Sequence, residues 1–116
     1  MKVLLVDDEL DILRSVKKGL EMRGLTVDAY DDPVKALSSF KPGIYEIAVI
    51  DVKMPKMNGF QLYREILKRD DKVKVRFFTA FEEYRDEFKK AFPELDEHRF
   101  IKKPSTIGAI VEQLLA

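Results

Sequence analysis

The stretch Ile47-Ala48-Val49-Ile50-Asp51 decides the predicted fold. Its four apolar residues, three of them β-branched, follow one another without a polar residue and end at an acid. A strand with one buried face alternates apolar and polar residues, so this pattern is typical of a parallel strand covered on both faces. Val3–Val6 repeats the pattern and is followed by Asp7 and Asp8. The sequence therefore predicts two buried parallel strands, each ended by acidic residues.

Helical patterns separate these two strands from three further apolar runs. The other predicted strands cover residues 26–30, 73–78 and 100–101, and the predicted helices cover residues 9–23, 33–40, a segment after Gly59, 82–92 and 106–115. Gly24 is a suitable stop for the first helix, and Asp32 before Pro33 is a suitable start for the second. Five alternations of strand and helix predict an α/β fold. The commonest such arrangement is the flavodoxin-like, doubly wound five-stranded parallel sheet of order 2-1-3-4-5, with five helices.

The composition excludes several classes of protein. The 116 residues contain 21 basic and 21 acidic side chains, so no net charge attracts nucleic acid or an anionic membrane. There is no cysteine, which excludes disulfides and thiolate metal sites. No apolar run approaches the roughly 18 residues of a membrane helix, and the N-terminal run meets Asp7 too soon to be a signal peptide. We therefore expect one cytoplasmic domain over residues 1–116, with neither nucleic acid nor a membrane as partner.

Chemically useful side chains follow several of the predicted strands. The carboxyl ends of parallel strands meet at one edge of the sheet, which is where ligands bind in such folds. This edge would receive Asp7, Asp8 and Asp51 from the two central strands, with Glu9 beyond, and a hydroxyl and an ammonium from Thr79 and Lys103. Three neighbouring carboxylates repel one another unless a cation lies among them, and such oxygen ligands suit Mg²⁺. A carboxylate beside Mg²⁺, a lysine and a hydroxyl is, in outline, a phosphoryl-acceptor site.

Each of these residues also has a purely structural interpretation. Asp7 and Asp8 could cap the following helix, and Asp51 could belong to a turn. Thr79 could be an ordinary hydroxyl at a strand end, and Lys103 a solvated charge. Their shared position at one edge of the sheet favours a common site over separate explanations.

At these residues the chain resembles a response-regulator receiver domain of the two-component signalling family. The resemblance covers essentially the whole chain and rests on four segments in order, each at a predicted strand end. The segments are Leu5–Glu9 (LVDDE), Val49–Gly59 (VIDVKMPKMNG), Phe78–Ala80 (FTA) and Phe100–Pro104 (FIKKP). It implies a phosphoacceptor domain that catalyses its own phosphorylation and is not an enzyme with a free substrate.

The resemblance implies that Asp51 accepts a phosphoryl group from the phosphohistidine of a sensor histidine kinase or a histidine phosphotransfer protein. Mg²⁺ would be held by Asp7, Asp8, Asp51 and the backbone carbonyl of Lys53. Asp8 would bind the metal directly, and Asp7 would help through water.

It further implies that Thr79 and Lys103 contact the phosphoryl group and that the Lys103–Pro104 bond is cis. Thr79 and Phe100 would form the switch, and the face made by helix 4, strand 5 and helix 5 would bind a downstream effector protein. Phe100 has no hydroxyl, so any switch there rests on packing. The segment 93–98 replaces the usual Gly-Ala before the last strand, which bears on the geometry of the output face.

The resemblance also implies that Lys53 and Phe81 flank the path of a water that would attack the phosphorylated acceptor. In this family the side chains at these positions tune the lifetime of the phosphoryl group. Neither lysine nor phenylalanine is a good base or water-orienting group, so we expect slow self-dephosphorylation.

The residues leave other functions open. A receiver-shaped module that binds proteins without phosphorylation is one alternative, and a Mg²⁺-dependent hydrolase is another. The five glycines match neither a dinucleotide-binding nor a nucleoside-triphosphate-binding loop. The sequence ends about one helix after Lys103, so we expect either a stand-alone receiver or a piece of a longer regulator.

Overall fold

The computed structural model describes residues 2–79, 90, 100–102, 108–109 and 111–112. Its strands are β1 Lys2–Val6, β2 Thr26–Tyr30, β3 Ile47–Asp51, β4 Lys74–Thr79 and β5 Phe100–Lys102. The helices with both ends in the described residues are α1 Leu10–Met22, α2 Pro33–Ser39 and α3 Gly59–Arg69. All strand pairs are parallel, and the sheet order is β2-β1-β3-β4-β5, which confirms the predicted topology.

The last two predicted helices fall mainly on residues that the structure does not describe. All of residues 82–92 except residue 90 lie outside the described residues. Of residues 106–115, four are described, and they are helical. The predicted output face, which needs both helices, therefore lies largely outside the described part of the chain.

Both faces of the central strands are buried, as the continuous apolar runs predict. Leu4 and Ile50 pack in a cluster with residues of α2 and α3, whereas Leu5 and Val49 pack in a second cluster with residues of α1. Alternate side chains point to opposite faces of a strand, so a strand between two helical layers needs apolar residues at every position. The five residues of β3 are all buried, including its terminal acid Asp51.

Local signals begin and end the helices. α1 ends before Gly24, whose φ of 86° is a backbone conformation that glycine adopts without a steric cost. The Leu25 amide donates to the Leu20 carbonyl at 3.2 Å, which completes the expected glycine stop. α2 begins at Pro33 after the predicted cap Asp32, whose Oδ1 accepts from the Val34 amide at 2.8 Å.

The strand register places the acidic residues side by side. Val6 of β1 is registered with Ile50 of β3, so Asp7, directly after β1, and Asp51, the last residue of β3, follow neighbouring positions at the same edge of the sheet. Asp51 in turn is registered with Phe78 of β4. Among the residues described, no helix combines the length and apolarity needed to cross a membrane.

Candidate functional site

Four carboxylates meet at the carboxyl edge of the sheet. One carboxylate oxygen from each of Asp7, Asp8, Glu9 and Asp51 can be chosen so that all four lie within 4.8 Å of one another. Asp7 and Asp51 are 1% and 5% exposed, whereas Asp8 and Glu9 are exposed. The predicted convergence of Asp7, Asp8 and Asp51 is observed. We call these four residues the acidic cluster.

Glu9 is the member of the cluster that the sequence analysis left outside the predicted metal site. The Glu9 amide donates to Oδ1 of Asp7 at 2.9 Å, an aspartate-centred turn that bends the chain directly after β1. This turn keeps Glu9 beside the pair before it. The aspartate directly after a predicted strand is the signal that could have indicated the turn, because an aspartate side chain readily accepts from the backbone amide two residues on.

The structure argues against the alternative that Asp7 and Asp8 serve only as caps of the following helix. The N-cap of α1 is Glu9, and its side chain makes no capping hydrogen bond. Asp7 contacts the amide of the cap residue itself, before the first turn of the helix. A capping role would also leave unexplained why Asp51, which follows a different strand, joins the same cluster.

The chemistry of the cluster fits a hard divalent cation. Four carboxylates this close repel one another, and burial of two of them strengthens the repulsion by lowering the local dielectric constant. Mg²⁺ takes oxygen ligands, and commonly one or two carboxylates with water and phosphate oxygens completing its shell. The two buried and two exposed acids of the cluster offer such ligands.

The loop after β3 is held tightly against the acidic cluster by a glycine. The Gly59 amide donates to the Val52 carbonyl at 2.8 Å. A Cβ at position 59 would collide with the carbonyl oxygen of Asp51 and lie 3.0 Å from the Cα of Val52. Only glycine allows the start of α3 to approach this backbone so closely. Lys53 is exposed in the same loop.

α3 also begins with a capping box, which was not among the features predicted from the sequence. The Asn58 side chain accepts from the Gln61 amide, and the Gln61 side chain accepts from the Asn58 amide, both at 2.9 Å. This reciprocal pair satisfies two amides that the helix itself leaves without partners. The box fixes where the loop ends and α3 begins.

The remaining predicted site residues are only partly described. Thr79 is the last residue of β4, one position beyond the register partner of Asp51. Thr79 is registered with Lys102, the last residue of β5. Phe100 is the first residue of β5. Lys103 lies outside the described residues, as do Phe81 and Pro104.

Comparison with known proteins establishes the family. The model of the response regulator receiver domain matches residues 3–115. The chain therefore belongs to the receiver-domain family of response regulators, the phosphorylation-regulated modules of two-component systems. Receiver domains generally bind Mg²⁺, interact with histidine kinases and effector domains, and are not classical enzymes.

Curated relatives agree with this assignment. The chain is 30% identical over 80 residues to the response regulator receiver protein CpdR of Brucella abortus, spanning 69% of this chain and 67% of that protein. It is 34% identical over 78 residues to the C4-dicarboxylate transport transcriptional regulatory protein DctD of Rhizobium meliloti, spanning 67% of this chain and 17% of that protein. It is 26% identical over 116 residues to the regulatory protein VanRB of Enterococcus faecalis, spanning the whole of this chain and 51% of that protein.

Solved structures agree on the fold. The protein TrrA of Thermotoga maritima, in complex with Mg²⁺ and a beryllium fluoride, superposes with a TM-score of 0.83 at 27% identity, covering 98% of this chain and 96% of that one. The non-phosphorylated HemR receiver domain of Leptospira biflexa gives a TM-score of 0.85, with 98% and 90% coverage. Its identity of 24% shows the fold alone.

Proposed function

We propose that this chain is a phosphoacceptor receiver domain over residues 1–116, in which Asp51 takes a phosphoryl group from a phosphohistidine. The observation that carries the proposal is the position of Asp51: it is buried at the end of the central strand, with three further carboxylates within 4.8 Å. Catalysis of phosphoryl transfer depends mainly on positioning the reacting groups and stabilising charge. A carboxylate fixed at a strand end, beside groups that can hold a divalent cation, meets both requirements.

The transfer is an in-line displacement at phosphorus. An oxygen of the Asp51 carboxylate forms the new P–O bond while the P–N bond of phosphohistidine breaks, and the bonding pair returns to the imidazole nitrogen. Asp7, Asp8, Asp51 and the Lys53 carbonyl would hold Mg²⁺, and the bound ion would supply positive charge to the phosphoryl oxygens. In this proposal the Lys103 ammonium pairs with one of those oxygens, and the Thr79 hydroxyl donates to another.

The rest of the proposed cycle follows from the same residues. Thr79 and Phe100 act as the switch, and the face of helix 4, strand 5 and helix 5 carries the signal to a downstream effector protein. The phosphoryl donor is a sensor histidine kinase or a histidine phosphotransfer protein, and the domain acts in the cytoplasm. The relatives DctD and VanRB are named as regulatory proteins, which supports a regulatory output.

An intact-mass measurement tests the acceptor. With acetyl phosphate and Mg²⁺, we expect the mass of the wild-type chain to rise by one phosphoryl group. Asp51→Asn should abolish the shift, because an amide oxygen is a poor nucleophile. The matched control is Asp71→Asn, which removes the same charge from an exposed turn after α3 and should leave the shift intact. A shift that persists in Asp51→Asn, or none in the wild type, would exclude Asp51 as acceptor.

Slow self-dephosphorylation is the second part of the proposal. Lys53, two residues after Asp51, is exposed and offers no base for an attacking water. Replacing it with Asn, whose amide can orient a water but cannot take its proton, should accelerate loss of the phosphoryl group by less than the roughly 100-fold that a positioned general base supplies. Decay followed by intact mass after removal of acetyl phosphate measures this, and rapid decay in the wild type would contradict it.

A further inference from the structure

The loop between β3 and α3, residues 52–58, contains a strained residue that is not a glycine. Lys56 has a φ of 71°, the only positive φ of a non-glycine residue in the described part of the chain. The Met57 amide donates to the Pro55 carbonyl at 2.8 Å, which closes a γ-turn around Lys56. A γ-turn with a positive central φ is rare and costs energy, so surrounding contacts must hold it.

An ion pair holds this turn from the neighbouring loop. The Lys56 ammonium lies 3.0 Å from Oδ2 of Asp32; the Lys56 side chain is 65% exposed and the Asp32 side chain 18%. Oδ1 of the same carboxylate caps α2 through the Val34 amide. The Lys56 ammonium, with the Val34 amide, holds the pKa of Asp32 below its usual range. Asp32 is thus fixed to a helix, and Lys56 is fixed to Asp32.

The topology places this ion pair across the end of β1. In the sheet, β1 lies between β2 and β3. Asp32 follows β2 and Lys56 follows β3, so the pair joins the two loops that flank the loop carrying Asp7 and Asp8. The loop 52–58 is fixed at its start by Asp51 in β3 and at its end by Gly59 against the Asp51 carbonyl. The ion pair adds a third anchor at its middle.

We propose that Lys56 and Asp32 are positioning residues for the metal site. Their ion pair, which we call the clasp, holds the loop 52–58 in the conformation that presents the Lys53 carbonyl before a metal ion arrives. Ordering the loop in advance removes an entropic cost from metal binding, the usual benefit of preorganisation. The proposal rests on the proposed function, because it takes the acidic cluster and the Lys53 carbonyl to be the Mg²⁺ site.

Variants that remove one charge of the clasp distinguish ordering of the loop by the ion pair from the direct effect of each charge on a bound cation. Lys56→Gln and Asp32→Asn each break the ion pair, and asparagine at position 32 can still cap α2. The double variant completes a cycle. The matched control is Glu65→Gln, which removes a comparable exposed pair with Lys68 and Arg69 on α3. Mg²⁺ affinity is measured by titration, and amide hydrogen exchange is measured without Mg²⁺.

If the clasp acts, both single variants weaken Mg²⁺ binding by about two- to fivefold, the range that one exposed ion pair supports. The double variant should be no weaker than either single variant. Through-space charge effects alone predict opposite signs: loss of Lys56 would strengthen binding of a cation, and loss of Asp32 would weaken it. Opposite signs, or no change in affinity, would overturn the proposal.

Amide exchange in the metal-free protein gives an independent readout. The amides of Met57 and Gly59 should exchange about two- to fivefold faster in both single variants, because their hydrogen bonds belong to the clasped loop. They should be unchanged in Glu65→Gln. Unaltered exchange in the clasp variants would overturn the proposal even where Mg²⁺ binding changes. Failure of the wild type to bind Mg²⁺ would instead overturn the proposed function, and exchange would still report whether the clasp orders the loop.

Discussion

At the carboxyl edge of the sheet four carboxylates crowd together, whereas towards the amino edge individual carboxylates lie beside hydrogen-bond donors. Oδ2 of Asp28, on β2, accepts from the Tyr45 hydroxyl at 2.7 Å and lies 3.2 Å from the Lys2 ammonium. Asp70, after α3, accepts from the amides of Gly43 and Lys72 at 2.8 and 3.0 Å. Asp28 and Asp70 therefore stabilise the fold through these contacts, whereas the acids of the acidic cluster are arranged to bind a ligand.

The pKa values towards the amino edge follow from these contacts. The Tyr45 hydroxyl, together with Lys2, holds the pKa of Asp28 below its usual range. Burial and the neighbouring Asp28 carboxylate raise the pKa of Tyr45. The amides of Gly43 and Lys72 lower the pKa of Asp70. For Asp28 and Asp70 the folded structure favours the charged carboxylate, so these contacts stabilise the protein at neutral pH, above the usual pKa of a carboxyl group. For Tyr45 the folded structure favours the neutral phenol, which is the form that donates to Asp28.

Of the variants that test this contrast between the two edges, one at Gly59 should change the free energy of unfolding most. Gly59 holds the loop 52–58 against the end of β3. Gly59→Ala should lower the free energy of unfolding by about 3 kcal/mol, because the new methyl group collides with backbone that cannot move aside. Urea unfolding measures this change. Gly108→Ala is the matched control: it is helical, a Cβ there meets nothing within 4 Å, and stability should stay equal or rise. Equal losses in both variants would argue against the close approach at Gly59.

Removing the Tyr45 hydroxyl tests the stabilising acid towards the amino edge. Tyr45→Phe should cost about 1.5 kcal/mol, because a hydrogen bond to a charged group is lost from a largely buried position. Thermal and urea unfolding of the variant measure it. Tyr30→Phe makes the same chemical change at the end of β2 on a partly exposed ring, and should cost less than about 0.5 kcal/mol. If Tyr45→Phe were as stable as the wild type, the hydrogen bond from Tyr45 to Asp28 would contribute nothing to stability.

Removing an acid at the carboxyl edge should raise the free energy of unfolding, whereas the two preceding variants lower it. Asp8→Asn should raise the stability of the metal-free protein by about 0.5 kcal/mol, because it relieves repulsion in the acidic cluster. Mg²⁺ at ten times its Kd should stabilise the wild type by about 1.4 kcal/mol and should stabilise the variant less. Unfolding with and without Mg²⁺ measures both effects. Asp71→Asn is the control, and a loss of stability in metal-free Asp8→Asn would contradict this interpretation of the cluster.

The sequence predicted the elements of the described fold closely. The continuous apolar runs Val3–Val6 and Ile47–Ile50 became buried central strands, and the predicted helix start at Asp32 and stop at Gly24 are confirmed. These signals are local, because burial pattern and backbone preference depend on residues within one or two turns of each other. Small differences remain at element ends, such as β4 beginning at Lys74 and not at Val73.

Details of the site that depend on close packing were missed. The capping box of Asn58 and Gln61 and the approach of Gly59 to the Asp51 carbonyl were not predicted. Glu9 was predicted to lie beyond the three aspartates, but it belongs to the acidic cluster. The turn at Asp7 holds it beside them. A glycine or an acid in a loop is compatible with many conformations, so its type alone does not reveal which contact it makes.

The sequence by itself determined the order of strands and helices, the helical layers on both faces and the acids at the strand ends, because apolar patterning and chain chirality leave few other arrangements. Only the tertiary structure decided which loops touch. The convergence of Asp7, Asp8 and Asp51 at one edge followed from the predicted topology. The clasp, which joins two loop residues 24 positions apart, did not follow from it. Such contacts depend on the register and twist of the sheet, and a single sequence carries no local signal for them.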